Sequence, residues 1–423
     1  MDYVNLSYRP TKNDLIVEYY CEPNRVPLQV AASNVALESS IGTWTTISTM
    51  NPHIAKKLKP SVFSINKKTN TIKIAYPQQL FEPRNMPQIL SAIAGNIYGM
   101  KIVKNLRLQD ITFPKKLVAS FPGPRFGIVG IRKLTKVKNR PLVGTIVKPK
   151  VGLTAKQHAQ VAYNAWIGGL DVVKDDENLT SMSFNNFYDR IKLTLAAKKK
   201  AEKLTGEKKI YLANVTAECL EMLKRADYVQ KLGGEYVMVD ILTCGFSGLQ
   251  TLCSHSKKLF IHAHRAMHAA LTKNPKHGMS MLAIAKITRL IGCDQLHIGT
   301  AFVGKMGGSS AEAADIEDEI ESSLIVKKEK AHVLEQKWYG IKPILAVASG
   351  GLHPGSIPKV IQRMGTNIVI QFGGGCHGHP DGTTGGATAI RQALDASLKK
   401  IPLKVYAKTH PELAKAIAKW GVE

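Results

Sequence analysis

From residue 142 onward the chain alternates between two patterns. Short β-rich apolar runs occupy 142–148, 170–175, 210–214, 236–240, 259–264, 295–299, 344–349 and 368–372, and each ends in polar, charged or glycine residues. Between them, segments such as 155–166, 187–203 and 217–232 carry apolar residues at helical spacing. Eight strand–helix alternations predict an α/β fold, a (β/α)8 TIM barrel. The longer spans near 180 and 320 leave room for extra loops or helices. In such a barrel the C-terminal ends of the strands carry the chemistry.

The pattern before the barrel is different. Residues 14–20 read as a strand and 27–39 as a helix with Pro27 in its first turn. Segments 61–65 and 71–76 read as a hairpin around Lys67-Lys68-Thr69-Asn70, followed by a helix over 86–98 and a strand over 103–111. That order predicts a smaller N-terminal α+β domain, a ferredoxin-like sheet with helices on one side. Phe121-Pro122-Gly123-Pro124 reads as the linker. The expected domains are therefore 1–125 and 126–423.

Composition narrows the classes. A chain of 423 residues is too long for one ordinary core, which agrees with two domains. No run approaches the ~18 apolar residues of a membrane span. Met1 to Pro10 has no apolar signal core. The six cysteines are scattered without a Cys-x-x-Cys pair, as in a reducing, cytoplasmic setting. The formal charge, 58 − 32 = +26, raises nucleic acid as a partner. The basic residues, however, lie in short dispersed pairs without interleaved aromatics. The longest run, Lys198-Lys199-Lys200, sits in a helical stretch and reads as a solvated face. Specific nucleic-acid binding is not expected, and a multiply phosphorylated substrate gains from the same field.

The second run ends Lys174-Asp175-Asp176-Glu177. Along a strand Lys174 and Asp176 share a face, and Glu177 reaches it once the chain turns. An amine suits no hard cation, which wants oxygens. If carbon dioxide converts Lys174 to a carbamate, three carboxylate-like groups converge on one Mg2+. A plain salt bridge is the alternative. The first run ends Lys148-Pro149-Lys150, with both lysines on one face. The fifth gives His262-Ala263-His264-Arg265, where Arg265 favours an anion over a metal beside the histidines. His297 ends the sixth. Ser349-Gly350-Gly351 and Gly373-Gly374-Gly375 follow the seventh and eighth, the usual phosphate cradle of such barrels. Lys305 sits in a loop with glycines on both sides, as a closing lid does. Cys376, His377 and His379 lack a second spaced pair of ligands, so no metal is expected there. The layout suits a sugar with phosphate at both ends.

These motifs resemble the large subunit of ribulose-1,5-bisphosphate carboxylase/oxygenase, in its archaeal form. The likeness also covers Glu38 to Thr45, Gly95 to Gly99 and His277-Gly278-Met279. It implies carboxylation of ribulose 1,5-bisphosphate by CO2 to 3-phosphoglycerate, through an enediolate, with O2 as a competing reactant. It implies Lys174 as the carbamylated residue, with Asp176 and Glu177 as the other Mg2+ ligands. Lys148, supported by Lys150, and His264 would move protons, and Lys305 would stabilise the new carboxylate. Arg265, His297 and Ser349 would hold one phosphate end. Thr43, Trp44, Gly350, Gly351, Gly373 and Gly374 would line the rest of the cradle. Glu38 and Asn96 would reach a neighbouring subunit's barrel, so a homodimer or a ring of dimers is implied, without a small subunit. Three departures stand out: Ile146 where a threonine is common, a longer Lys305 loop carrying Met306-Gly307, and Cys376 where a hydroxyl is common.

Three other readings compete. A family-related enolase or isomerase would do only the proton transfer. A metal-dependent amidohydrolase also uses His-x-His, though on its first strand. A basic RNA-binding protein would not need the strand-end groups at all.

Overall fold

All eight barrel strands form where the apolar runs lie. In the computed structural model, which describes residues 2–300, 303 and 310–423, they are Leu142–Ile146, Val172–Lys174, Ile210–Asn214, Tyr236–Asp240, Phe260–His264, Gln295–His297, Leu345–Ser349 and Ile368–Phe372. They pair in parallel, each with the next and the eighth with the first, and close a barrel. Burial on both faces explains why the runs read as continuously apolar rather than alternating. Leu142, Val172, Ile210, Leu212, Tyr236, Met238, Leu345, Val347 and Val369 form the core, and Ile131 of helix Gly127–Thr135 belongs to the same cluster. Asp294, before the sixth strand, ties this end together: its carboxylate accepts from the backbone N–H groups of Phe126, Gly127 and Ile261 at 2.7–3.0 Å.

The barrel belongs to a unit of Pro124–Ala266, Gly292–Glu321 and Lys342–Glu423. The predicted helices are present as Ala155–Ile167, Phe187–Thr205 and Cys219–Lys231. Thr154 caps the first in a reciprocal pair with Gln157. One expectation holds only in part: Lys199 and Lys200 are exposed, but Lys198 is buried, with its ammonium 2.6 Å from Glu235.

The other unit comprises Met1–Gly123, Met267–Ile291 and Ser322–Ile341. Its strands Asp14–Pro23, Ser61–Asn66, Thr71–Pro77 and Val103–Thr112 pair antiparallel in the order fourth, first, third, second. Helices Leu28–Glu38 and Met86–Ile93 complete a β-α-β-β-α-β, ferredoxin-like order. Both cover one face. Ser39, just past the first helix, bonds Tyr76, while Ile93 of the second accepts from Tyr19, and the two tyrosine oxygens lie 3.5 Å apart. The second helix is shorter than its apolar pattern, because Ala94-Gly95 breaks it before a 3-10 turn at Asn96–Gly99. Helix Pro52–Leu58 is an addition that the apolar spacing does not reveal, although Asn51-Pro52 is a good start signal: the Asn51 side chain accepts from Ile54 N.

Two segments that follow barrel strands in sequence therefore belong to this unit. Gly278–Met279 adds a short parallel strand beside Val103–Thr112. Helix Met281–Ile291 is buried all round, and its Lys286 ammonium lies 2.9 Å from Asp110 Oδ2 and 2.8 Å from Ile111 O. A buried ion pair needs such extra acceptors to offset desolvation.

Candidate active site

The C-terminal ends of strands one, two, four and five bring six ionisable groups together: Lys148, Lys174, Asp176, Glu177, Asp240 and His264. Alternation along the second strand sends Lys174 and Asp176 to one side and Asp175 to the other. The Lys174 side chain is 1% exposed. Its ammonium finds Asp175 O at 2.8 Å, Met238 Sδ at 3.1 Å and Glu177 Oε2 at 3.4 Å. A thioether is a weak acceptor, so this buried cation is poorly solvated. Asp176 Oδ2 lies 2.7 Å from Lys148 Nζ, and its Oδ1 accepts from Asn178 N and Nδ2, both at 3.1 Å. Burial resists the ionisation of Glu177, but the charges of Lys174, His264 and Lys148 outweigh it and hold the carboxyl down to about 2.

His264 faces this group. Its Nε2 lies 3.7 Å from Glu177 Oε2, and its Nδ1 lies 2.7 Å from Asp240 Oδ1 at the end of strand four. A carboxylate on Nδ1 keeps the proton there and leaves Nε2 towards Glu177. Asp240 was not singled out by motif; its place at a strand end was the available signal. Asn214, at the end of strand three, donates through Nδ2 to Glu177 O at 3.2 Å and Leu179 O at 3.1 Å, which shapes the turn carrying Glu177.

Asp175 is the acid that the site does not use. It is enclosed by Arg190 Nε at 3.2 Å, His158 Nε2 at 3.0 Å, Tyr211 OH at 2.6 Å and Asn214 N at 3.0 Å. Burial opposes its charge, yet these partners push its carboxyl well below the usual range. It anchors the strand end from behind.

The remaining strand ends supply a cationic and hydroxyl-bearing wall. His297 Nδ1 lies 2.9 Å from Ser349 Oγ, and its Nε2 lies 2.8 Å from His262 Nε2. Burial first, then the neighbouring positive groups, pushes His297 well below 6.5. Arg265 Nη2 passes 3.2 Å from where a Cβ on Gly299 would stand, which puts the guanidinium at the sixth strand's end. Burial lowers its pKa to about 10, with Glu312 opposing, so it stays charged. Gly350 and Gly351 turn with φ of +134° and +74°, which only glycine adopts cheaply. A Cβ on Gly373 would stand 3.3 Å from Lys148 Cε, so the eighth strand's turn makes room for the first strand's lysine. Gly374 begins a four-residue helical turn, Gly374–His377.

Not every candidate joins. Lys150 is exposed and has no ion pair with the cluster among the described residues. Lys305 lies outside the described residues. Glu38, Thr43, Trp44 and Asn96 belong to the other unit, where Asn96 Nδ2 reaches Glu38 Oε1 at 3.5 Å and Trp44 is 90% exposed. His377 and His379 are engaged elsewhere: His377 Nε2 meets Thr145 Oγ1 and Ile146 O, and His379 Nε2 meets Glu412 O.

Among the described residues no three His, Cys, Asp or Glu side chains are spaced to hold a metal ion. Asp176 and Glu177 give two carboxylates, and a third acidic group arises only if Lys174 is modified. The poorly solvated amine between them fits that conversion. The donor set would then be all oxygen, as Mg2+ requires.

The sequence matches two family models, described as the ribulose bisphosphate carboxylase large chain N-terminal domain, over residues 2–117, and catalytic domain, over residues 127–420. The chain belongs to the ribulose bisphosphate carboxylase large-chain family. The ribulose bisphosphate carboxylase of Methanosarcina mazei is 52% identical over 423 residues, covering 99% of each chain. That of Methanocaldococcus jannaschii is 50% identical over 99% of this chain and 100% of its own. Among solved structures, an octameric enzyme of this family from Pyrococcus horikoshii, in complex with sulfate, superposes with a TM-score of 0.92 at 47% identity, covering 99% and 96% of the two chains. A dimeric archaeal member from Hyperthermus butylicus gives 0.94 at 43% identity, covering 100% and 99%. No helix among the described residues is long and apolar enough to cross a membrane.

Proposed function

We propose that this chain carboxylates ribulose 1,5-bisphosphate to two molecules of 3-phosphoglycerate, using Mg2+ and a carbamate on Lys174. The observation that carries this reading is the convergence of Lys174, Asp176, Glu177, Lys148 and His264 on one barrel mouth. Once carbamylated, Lys174 would hold the metal together with Asp176 and Glu177. Bound there, Mg2+ would polarise the sugar oxygens and make the C3 proton acidic.

The chain's own groups then have defined tasks. Lys174, once it ended in oxygens, would accept the C3 proton and leave an enediolate. His264 Nε2, held towards Glu177 by Asp240, carries a proton to or from the C3 oxygen. Lys148 Nζ is the acid nearest the metal carboxylates and serves the C2 side. C2 attacks CO2 to form a carbon–carbon bond, water adds at C3, the C2–C3 bond breaks, and Lys148 gives a proton to the carbanion left at C2. O2 reacts at the same carbon as a side reaction. Arg265, His297 and Ser349 hold one phosphate, and the turns at Gly350-Gly351 and Gly373-Gly374 receive the other. Lys150 supports Lys148, and Lys305 stabilises the new carboxylate.

The working unit is a homodimer or a ring of dimers. Related solved structures, one dimeric and one octameric, support this. Glu38, Thr43, Trp44 and Asn96 would complete a partner subunit's site, and the exposed Trp44 indole suits such burial. Incubation with ribulose 1,5-bisphosphate, Mg2+ and labelled bicarbonate should place acid-stable label in 3-phosphoglycerate. Proton exchange at C3 without label would point to an enolase or isomerase instead.

A further inference from the structure

Four side chains form a continuous hydrogen-bonded line across strands five to seven. Gln295 Oε1 lies 2.7 Å from His262 Nδ1, His262 Nε2 lies 2.8 Å from His297 Nε2, and His297 Nδ1 lies 2.9 Å from Ser349 Oγ. Gln295, His262 and His297 are buried. Each link needs one donor and one acceptor, and a neutral imidazole has one of each. The protons can therefore be arranged in only two ways, with every link pointing in the same direction.

In the first arrangement Ser349 donates to His297 Nδ1, His297 Nε2–H donates to His262 Nε2, and His262 Nδ1–H donates to Gln295 Oε1. Ser349 then offers only lone pairs to anything outside. In the second, the Gln295 amide is turned over and donates to His262 Nδ1. His262 Nε2–H then donates to His297, His297 Nδ1–H donates to Ser349 Oγ, and the Ser349 proton is free to point outward. Two charged imidazoles would break the line, because two N–H groups would meet at the Nε2–Nε2 link, and one charged ring would add a donor at both of its nitrogens and fix the line in place. Burial above all keeps both rings neutral.

Gln295 shows that the first arrangement is under tension. Its Nε2 is buried with no hydrogen-bond partner among the described residues. Turning the amide gives that nitrogen a partner and orphans Oε1 instead, and a carbonyl oxygen tolerates this better than an N–H does. The two states are thus close in energy at the Gln295 end, and what Ser349 meets outside decides between them.

We propose that Gln295, His262 and His297 form a tautomeric relay that turns the Ser349 hydroxyl from acceptor to donor when a phosphate group binds beside it. Gln295 and His262 are positioning residues in this scheme, since they act through His297 and Ser349. The relay rests on the reading, proposed above, that one phosphate of the substrate sits at Ser349 and Arg265. It moves no net charge, so it works equally across neutral pH.

The test uses full-length protein labelled with 15N in its histidine rings, with inorganic phosphate as the probe. Without phosphate, His297 should carry its proton on Nε2 and His262 on Nδ1. Saturating phosphate should exchange the pyrrole-type and pyridine-type 15N shifts within both rings together. Ser349→Ala should abolish that exchange. Phosphate binding by calorimetry with unchanged tautomers overturns the relay alone. No phosphate binding at all overturns the anion site and the relay with it.

Discussion

Lys148 Nζ lies 2.7 Å from Asp176 Oδ2, so the first strand's lysine occupies an oxygen that the proposed metal needs. The two must separate, or share that oxygen, when the cation enters. Lys148 is therefore both a proposed acid and a competitor for the metal ligand. Lys148→Met separates these roles. It should reduce carbon fixation by at least about 10²-fold, the usual worth of a positioned acid. Mg2+ affinity should not fall, and should rise by up to about tenfold as a like charge is removed. Calorimetry with Mg2+ and bicarbonate, beside a label assay, reads both; weaker Mg2+ binding would count against this account of the pair.

Asp240 and His264 form the second coupled pair, 2.7 Å apart. Asn at 240 keeps the shape but can present its amide N–H to Nδ1, which favours the wrong tautomer. Asp240→Asn should lower kcat by about 10²-fold with KM for the bisphosphate nearly unchanged. The melting temperature should move little, since asparagine fills the same buried space and can still hydrogen-bond the ring. A large loss of stability with kcat preserved would make Asp240 a structural residue only.

These two pairs mark how far the chain's own letters reach. Periodicity was enough for the barrel, because strands buried on both faces write themselves as unbroken apolar runs. The face shared by Lys174 and Asp176 also followed from strand alternation. Partner choice did not follow. Alternation puts Asp175 and Asp176 on opposite faces, but that one meets Arg190 and the other Lys148 is set by tertiary packing alone. Lys198 misled for the same reason: a lysine run says nothing about which member meets Glu235. Helix Met281–Ile291 shows the limit for domains. Its place in chain order is that of a barrel helix, while its buried Lys286 is matched to Asp110, over a hundred residues earlier.

Gly373 and Lys148 make a packing prediction. A Cβ at 373 would press on Lys148 Cε from 3.3 Å, closer than ordinary contact. Gly373→Ala should still fold but lose about 1–3 kcal/mol of stability, since φ −97° with ψ −98° lies outside the main regions open to alanine. It should raise KM for the bisphosphate about tenfold through the displaced lysine and the filled cradle. Steady-state kinetics against substrate concentration check this; an unchanged KM would show that nothing docks against that turn.

Asp175 gives a prediction about acid stability. Its folded-state carboxyl is held well below the unfolded value of about 3.9, with burial opposed by Arg190, His158 and Tyr211. A depressed carboxyl contributes stability above the unfolded value and loses it as pH falls towards the folded one. At pH 7, Asp175→Asn should cost about 3–5 kcal/mol, because it strands the buried Arg190 guanidinium without its counter-charge. Denaturant titrations at a series of pH values should show that gap constant above about pH 5 and shrinking below about pH 4, where Asp175 in the unfolded chain takes up a proton while the folded carboxylate stays ionised. Should the gap stay the same down to the lowest pH at which the chain folds, Asp175 would not be the charged anchor behind the second strand.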